Sequence, residues 1–310
     1  MQLDTFRSCA IIRVSCKAWE RRREAHVETQ QKRAIAIHDI SCAGRCSLTV
    51  ALPVLSVQGI ETNVIPTAIL STQTGGFEGY TYRDLTEDIL PVVRHWKTLH
   101  RTCDAIYTGF LGSFQQLEIV SNVIDQLKGD ETLVYIDPVM GDGGKLYETF
   151  DMAFVDGMRE FCKKADVITP NVTEALLLLG RPYREGPYEM AFVEEVLHDL
   201  STLGPSKIVL TGVYPDVGHL GAAIYDKNSD ETYVAYSRAF DGTFHGAGDL
   251  FASVLLGKML QNVPLKQALE ASVTFTATCI KSTGECGADT RFGLNFEPHL
   301  GLLLPEGRTL

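Results

Sequence analysis

From residue 34 onward the chain alternates short, nearly unbroken apolar runs with longer segments whose apolar residues recur every three or four positions. These are the signatures of strands buried on both faces and of amphipathic helices. Runs at 34–38, 61–69, 104–108, 132–137, 166–169 and 207–211 predict strands. Segments 46–58, 84–99, 113–127, 151–163, 171–179, 192–203, 247–260 and 264–282 predict helices. Gly59 and Gly180 stand where C-caps belong, and Pro91 inside the second helical segment predicts a kink or a break. Runs at 219–225 and 232–237 flank a turn-rich stretch, Asp226 to Asp230, and read as a hairpin. Strands alternating with helices at this spacing require parallel pairing, right-handed crossovers and helices on both faces of one sheet, an α/β architecture. Ligands bind beyond the carboxyl ends of such strands. The polar loops 39–45, 71–76, 108–113, 137–147, 169–174, 211–218 and 241–249 gather there.

With 310 residues and 45% hydrophobic content, one large core and a single domain over 34–310 are expected. A net charge of -11 without a clustered basic face argues against nucleic-acid and anionic-lipid partners. No apolar run reaches the roughly 18 residues of a membrane span, and no signal-peptide pattern opens the chain, so a soluble cytoplasmic protein is expected. Residues 1–33 break from this pattern: Arg7, Arg13, Lys17, Arg21, Arg22, Arg23, Lys32 and Arg33 face only Asp4, Glu20, Glu24 and Glu28. They are predicted to be a disordered or atypical, dispensable extension. The eight cysteines form no C-x-x-C pair, so reduced thiols are expected, with Cys42 and Cys46 open to either a reactive or a small buried role.

Three polar stretches carry candidate chemistry. In Phe244-His245-Gly246-Ala247-Gly248-Asp249, a glycine turn feeds an apolar helix. Consecutive N–H groups there can meet one oxyanion at a positive helix end, while Asp249 is either a reactive carboxylate or a first-turn acidic residue. Asp137-Pro138-Val139-Met140-Gly141-Asp142 places two carboxylates around a turn at a strand end, suited to magnesium with a nucleotide, or to a turn stabilised by Asp side chains. Asp142 to Lys145 reads as a flexible flap, with Lys145 in reach of phosphate. Thr169-Pro170-Asn171-Val172-Thr173-Glu174 begins a helix and reads either as a capping box or as support for water-bridged metal and phosphate. Neither a G-x-x-x-x-G-K-[ST] loop nor a G-x-G-x-x-G after the first strand is present, which argues against P-loop and dinucleotide-binding folds.

Taken together and in this order, the three stretches resemble the ribokinase superfamily, and within it the vitamin B6 kinases, over about residues 34–290. The resemblance implies a ribokinase-like three-layer sandwich and ATP-dependent phosphorylation of a hydroxymethyl group on a B6 vitamer. By that resemblance Asp249 is the general base, Gly246, Ala247 and Gly248 supply the anion hole, and Asp137, Thr169, Asn171, Glu174, Thr211 and Gly212 meet ATP. Asp137, Asp142 and Glu174 attend Mg²⁺, a monovalent cation is left open, and a homodimer is the implied assembly. Asp39, Ser41, Gln73 and Thr74 correspond to the acceptor site. The chain departs from the family pattern at Gln73, where many relatives have histidine, and at Ala247, where threonine is usual. The alternatives are a hydroxymethylpyrimidine kinase, whose members commonly carry cysteine where Asp249 stands, and a catalytically silent nucleotide-binding protein on the same fold.

Overall fold

The first apolar run grows into an eleven-residue strand, β1 (Arg33–Ala43), in the computed structural model, which describes residues 31–305. Asp39 and Ser41, expected in a loop, therefore lie on a strand, Asp39 within the register shift between His38 and Ile40 and Ser41 just past it. A bulge of this kind re-aims side chains at a sheet's functional end. Helix α1 (Leu48–Val57) leads to β2 (Glu61–Thr72), which also outruns its expected end. A short edge strand not foreseen from the pattern, β3 (Tyr82–Asp84), pairs antiparallel with β2. Of the kink or break expected at Pro91, helix α2 (Thr86–Thr98) shows no break: the buried Ile89 and Val93 anchor it on both sides of the exposed proline.

The alternation continues with β4 (Ala105–Thr108), α3 (Phe114–Leu127) and β5 (Leu133–Ile136). A small hairpin of β6 (Gly141–Asp142) and β7 (Lys145–Leu146) follows, then α4 (Met152–Cys162), β8 (Val167–Ile168), α5 (Val172–Leu178) and α6 (Met190–Ser201). Strands β9 (Lys207–Val213), β10 (His219–Asp226) and β11 (Glu231–Arg238) precede α7 (Ala247–Leu260) and α8 (Leu265–Glu285). Two short 3₁₀ turns, Thr290–Phe292 and Glu297–Leu303, finish the described chain.

The sheet order is β11-β10-β9-β8-β5-β4-β1-β2-β3. It is parallel from β9 to β2, with antiparallel strands at both edges, and the expected 219–237 hairpin supplies one of them. Period-two alternation divides its strands between two cores. Ile35, Ile37, Ile106, Val134, Ile136, Ile168 and Ile208 pack with α2 to α6, whereas Ala34, Tyr107, Tyr135, Val167 and Val209 pack with α1, α7 and α8. This is the three-layer α/β sandwich. A smaller cluster joins α1, α7 and α8 to Leu294, Phe296 and Leu303 of the tail.

Most of segment 1–33 lies outside the described residues, but Arg33 opens β1 and Lys32 is hydrogen-bonded to the neighbouring chain segments. Lys32 Nζ meets Asp104 at 2.7 Å, and the Arg33 N–H and guanidinium meet Asp104 and Glu61 at 2.8 and 3.0 Å. The compact unit accordingly starts at Lys32. Among the described residues no helix is long and apolar enough to cross a membrane.

Candidate active site

The head of α7 is shaped by Gly246, which stands at the N-cap in the left-handed region with φ 73°. A Cβ there would collide with the Arg45 carbonyl oxygen, so only glycine fits this bend. No side chain caps the helix, and a Cβ built at Gly248 would meet open space. The first-turn N–H groups of Ala247, Gly248 and Asp249 are thus left without a side-chain cap at the positive end of the helix. Asp249 is half-buried in that first turn and accepts the Ser47 N–H at 2.9 Å.

Burial raises Asp249 to about 7; the Ser47 hydrogen bond pulls the other way, and the charge of Asp39 adds to the rise. Asp39 is 4% exposed, and its two oxygens accept from Ser47 Oγ at 2.6 Å and Ser41 Oγ at 3.2 Å. Its carboxyl is raised by burial, with both serine bonds opposing. One residue, Ser47, therefore touches both carboxylates.

Asp137 sits at the end of β5 and is raised well above the carboxylate range by burial, then by Glu174 and Asp249. No hydrogen bond reaches its carboxylate among the described residues. Glu174, raised to about 8 by burial, accepts the N–H groups of Met140 and Asn171 at 3.1 and 2.9 Å. Asn171 in turn accepts the Glu174 N–H at 2.9 Å, completing a capping box on α5. The structural reading of this stretch thus holds, with both Glu174 oxygens engaged. Asn171 Nδ2 also donates to the Gly141 carbonyl at 2.8 Å. Thr169 Oγ1 is buried without a partner beside it.

Segment 142–145, expected to be a flexible flap, is instead the β6–β7 hairpin. It is pinned by Gly144 N–H to Thr173 Oγ1 at 2.9 Å and by Tyr183 packed over Gly144. Asp142 and Lys145 are exposed on it, and Asp142 Oδ1 accepts the Gly143 N–H at 2.7 Å. Thr211 donates its N–H to the Pro170 carbonyl at 3.0 Å, and Gly212, at φ 73°, forms the bulge that shifts the β9–β10 register. Thr211 and Gly212 thereby stand beside Asn171, which bridges to Thr211.

The loop that carries Gln73 and Thr74 is held by residues that no local pattern in the sequence singles out. Gln73 Nε2 donates to the Arg291 carbonyl at 2.8 Å, while Thr74 is exposed. Gly75 packs so closely on His245 that a Cβ would lie 2.8 Å from its ring. Arg291 donates to the Gly76 carbonyl at 3.3 Å and lies over the Phe77 ring at 5.2 Å. His245 is lowered by burial and stays neutral at pH 7. Cys42 is exposed, whereas Cys46 is buried and pushed up to about 12, chiefly by that burial. The buried-thiol reading therefore fits Cys46.

Asp39, Ser41, Asp249 and the glycine turn form one contiguous group. Asp137, Thr169, Asn171, Glu174, Thr211 and Gly212 form the other, and the field of Asp249 at Asp137 joins them. A buried carboxylate lacking any donor suits a bound cation. Among the described residues no three His, Cys, Asp or Glu side chains converge as a closed metal cage.

A family model described as phosphomethylpyrimidine kinase matches residues 54–292. The pyridoxal kinase of Sus scrofa is 30% identical over 268 residues, covering 79% of this chain and 80% of the relative. Among solved structures, pyridoxal kinase from Lactobacillus plantarum is 29% identical with a TM-score of 0.80, covering 88% of this chain and 96% of that one. A Bacteroides thetaiotaomicron protein assigned to the phosphomethylpyrimidine kinases, in a crystal form with pyridoxal, is 36% identical with a TM-score of 0.85. That match covers 90% of this chain and 98% of the other.

Proposed function

Because the chain belongs to the phosphomethylpyrimidine kinase family, on the ribokinase-superfamily branch that includes the vitamin B6 kinases, we propose that it transfers the γ-phosphoryl group of ATP to the 5'-hydroxymethyl group of a B6 vitamer. The observation that carries this reading is Asp249, at about 7, lying beside uncapped N–H groups and sharing Ser47 with Asp39. A base whose protonation balance lies near working pH is well matched to accepting a hydroxyl proton. Asp249 takes that proton as the acceptor oxygen attacks. The N–H groups of the Gly246-Ala247-Gly248 turn hold charge developing on the transferred group. They are backbone donors, so Ala247 is tolerated in the turn, without the hydroxyl that threonine would add.

Asp137 and Asp142, supported by Glu174, would hold the Mg²⁺ that supplies positive charge around the nucleotide phosphates. Thr169, Asn171, Thr211 and Gly212 face the nucleotide in this arrangement. Asp39, Ser41, Gln73 and Thr74 rim the acceptor pocket and offer hydrogen-bond partners to ring nitrogen and phenolic oxygen. A site built to pair such groups rejects ligands that leave its own groups unpaired. Homodimeric assembly belongs to the same proposal.

Steady-state kinetics on pyridoxal, pyridoxamine, pyridoxine, hydroxymethylpyrimidine, ribose and adenosine test the reading. The highest kcat/KM is expected for a B6 vitamer; a maximum for hydroxymethylpyrimidine would transfer the chain to the thiamine-type reaction.

A further inference from the structure

Ser47 occupies φ 50° and ψ -128°, a bend that residues with side chains rarely adopt. The chain is anchored on both sides of it, and only the Oγ bond acts at the bend itself. The Arg45 carbonyl, two residues earlier, is wedged between Gly246 and Gly293, at both of which a Cβ would strike it. The Arg45 N–H is held by the Phe292 carbonyl at 2.9 Å. On the other side of the bend, the Ser47 carbonyl accepts from Val50 and Ala51 at 3.1 and 2.9 Å and starts α1.

Between these anchors the side chain and the main chain of Ser47 point to different carboxylates. Oγ donates to Asp39 at 2.6 Å, and N–H donates to Asp249 at 2.9 Å. An L-residue released from the Oγ bond would relax out of the bend and carry its N–H away from Asp249. Glycine, which adopts positive φ without a steric penalty, would stay.

We propose that Ser47 is a positioning residue that ties the placement of the base Asp249 to the acceptor-side carboxylate Asp39. The proposal rests on the reading above for the roles of those two aspartates. Contact with the acceptor at Asp39 then acts on Asp249 through one residue, without a moving domain. Besides Asp39, the titratable groups whose fields meet Asp249 are Asp137, Cys46, Tyr107 and Tyr147, from β5, the loop before α1, β4 and the segment after β7.

The test compares wild type, Ser47→Ala and Ser47→Gly in the full chain. Carbon-13 NMR of the Asp249 carboxyl, without substrates, follows its titration midpoint. Ser47→Ala should move that midpoint up by about one pH unit, since a lost donor disfavours the ionised form. It should also lower kcat roughly tenfold. In Ser47→Gly the midpoint should return to the wild-type value and kcat should recover, while acceptor KM stays raised about fivefold because Oγ is gone. An unmoved midpoint in Ser47→Ala, or an equal shift in Ser47→Gly, overturns the proposal. If Ser47→Ala does not fold, Ser47→Gly decides alone: a wild-type midpoint with raised acceptor KM supports the coupling, and any other pair of results overturns it. The NMR titration needs no acceptor, so its failure is distinct from failure to phosphorylate a vitamer.

Discussion

Asp249 is a carboxylate held where its charge is expensive, and that has a consequence for folding as well as for chemistry. Unfolded, the group titrates near ~3.9. Folded, burial raises it to about 7. Between these values the native state keeps a proton that the unfolded state has lost, so stability falls as pH rises through the window and levels off above it. Asparagine at this position carries no such pH-dependent penalty. The melting temperature of Asp249→Asn relative to wild type should therefore rise from pH 4 to pH 8, measured by thermal melts without ligands. A pH-independent difference would show that Asp249 titrates as an ordinary surface aspartate. For activity the sign is opposite: kcat/KM for the acceptor should climb from pH 5.5 to 8 as the base loses its proton.

At the scale of elements, the 73–77 loop, which we propose borders the acceptor, depends on a segment far away in sequence. The 3₁₀ turn Thr290–Phe292 holds the 73–77 loop through Gln73, Gly76 and Phe77. Arg291→Ala removes the bond to Gly76 and the ring contact, while the backbone bond to Gln73 remains. Exposed contacts of this kind are worth about 0.5–1 kcal/mol each. Acceptor KM should rise roughly five- to thirtyfold with kcat and ATP KM little changed; a loss confined to kcat would contradict the proposed role. The glycine turn before α7 and the Asn171/Glu174 box were legible because caps and first turns have local spacing rules. Arg291 was not, because a three-residue turn has no periodicity and its partners lie more than 200 residues away. Asp39 was assigned to a loop because a buried polar residue on a bulged strand breaks the apolar run that marks a strand. Ser47 carries no sequence signal at all for its positive φ, which rests on tertiary contacts: the wedged Arg45 carbonyl two residues before it and the Oγ bond to Asp39.

For the whole molecule, alternation of buried strands and helices was sufficient to predict the sandwich and the sheet edge where the site lies, since both follow from period and handedness. The edge strand β3 escaped, being three exposed residues without alternation. The lower boundary of the fold also moved, because Lys32 and Arg33 look like the end of a basic leader yet bind Asp104 and Glu61 across the sheet. Deleting residues 1–33 should lower the melting temperature relative to deleting 1–30; equal values would show that these bonds add nothing to stability. The central claim, that this fold places Asp249 to take a proton from a vitamer hydroxymethyl group, is tested most directly by single-turnover formation of the 5'-phosphate. Wild type and Asp249→Asn are mixed with ATP, Mg²⁺ and pyridoxal and the product is followed by phosphorus NMR after quenching. Wild type should form the phosphate ester, and the variant should bind ATP equally well but form it about 10²–10⁴ times more slowly. A variant as fast as wild type, or a wild type that leaves the vitamer unphosphorylated, would contradict the account.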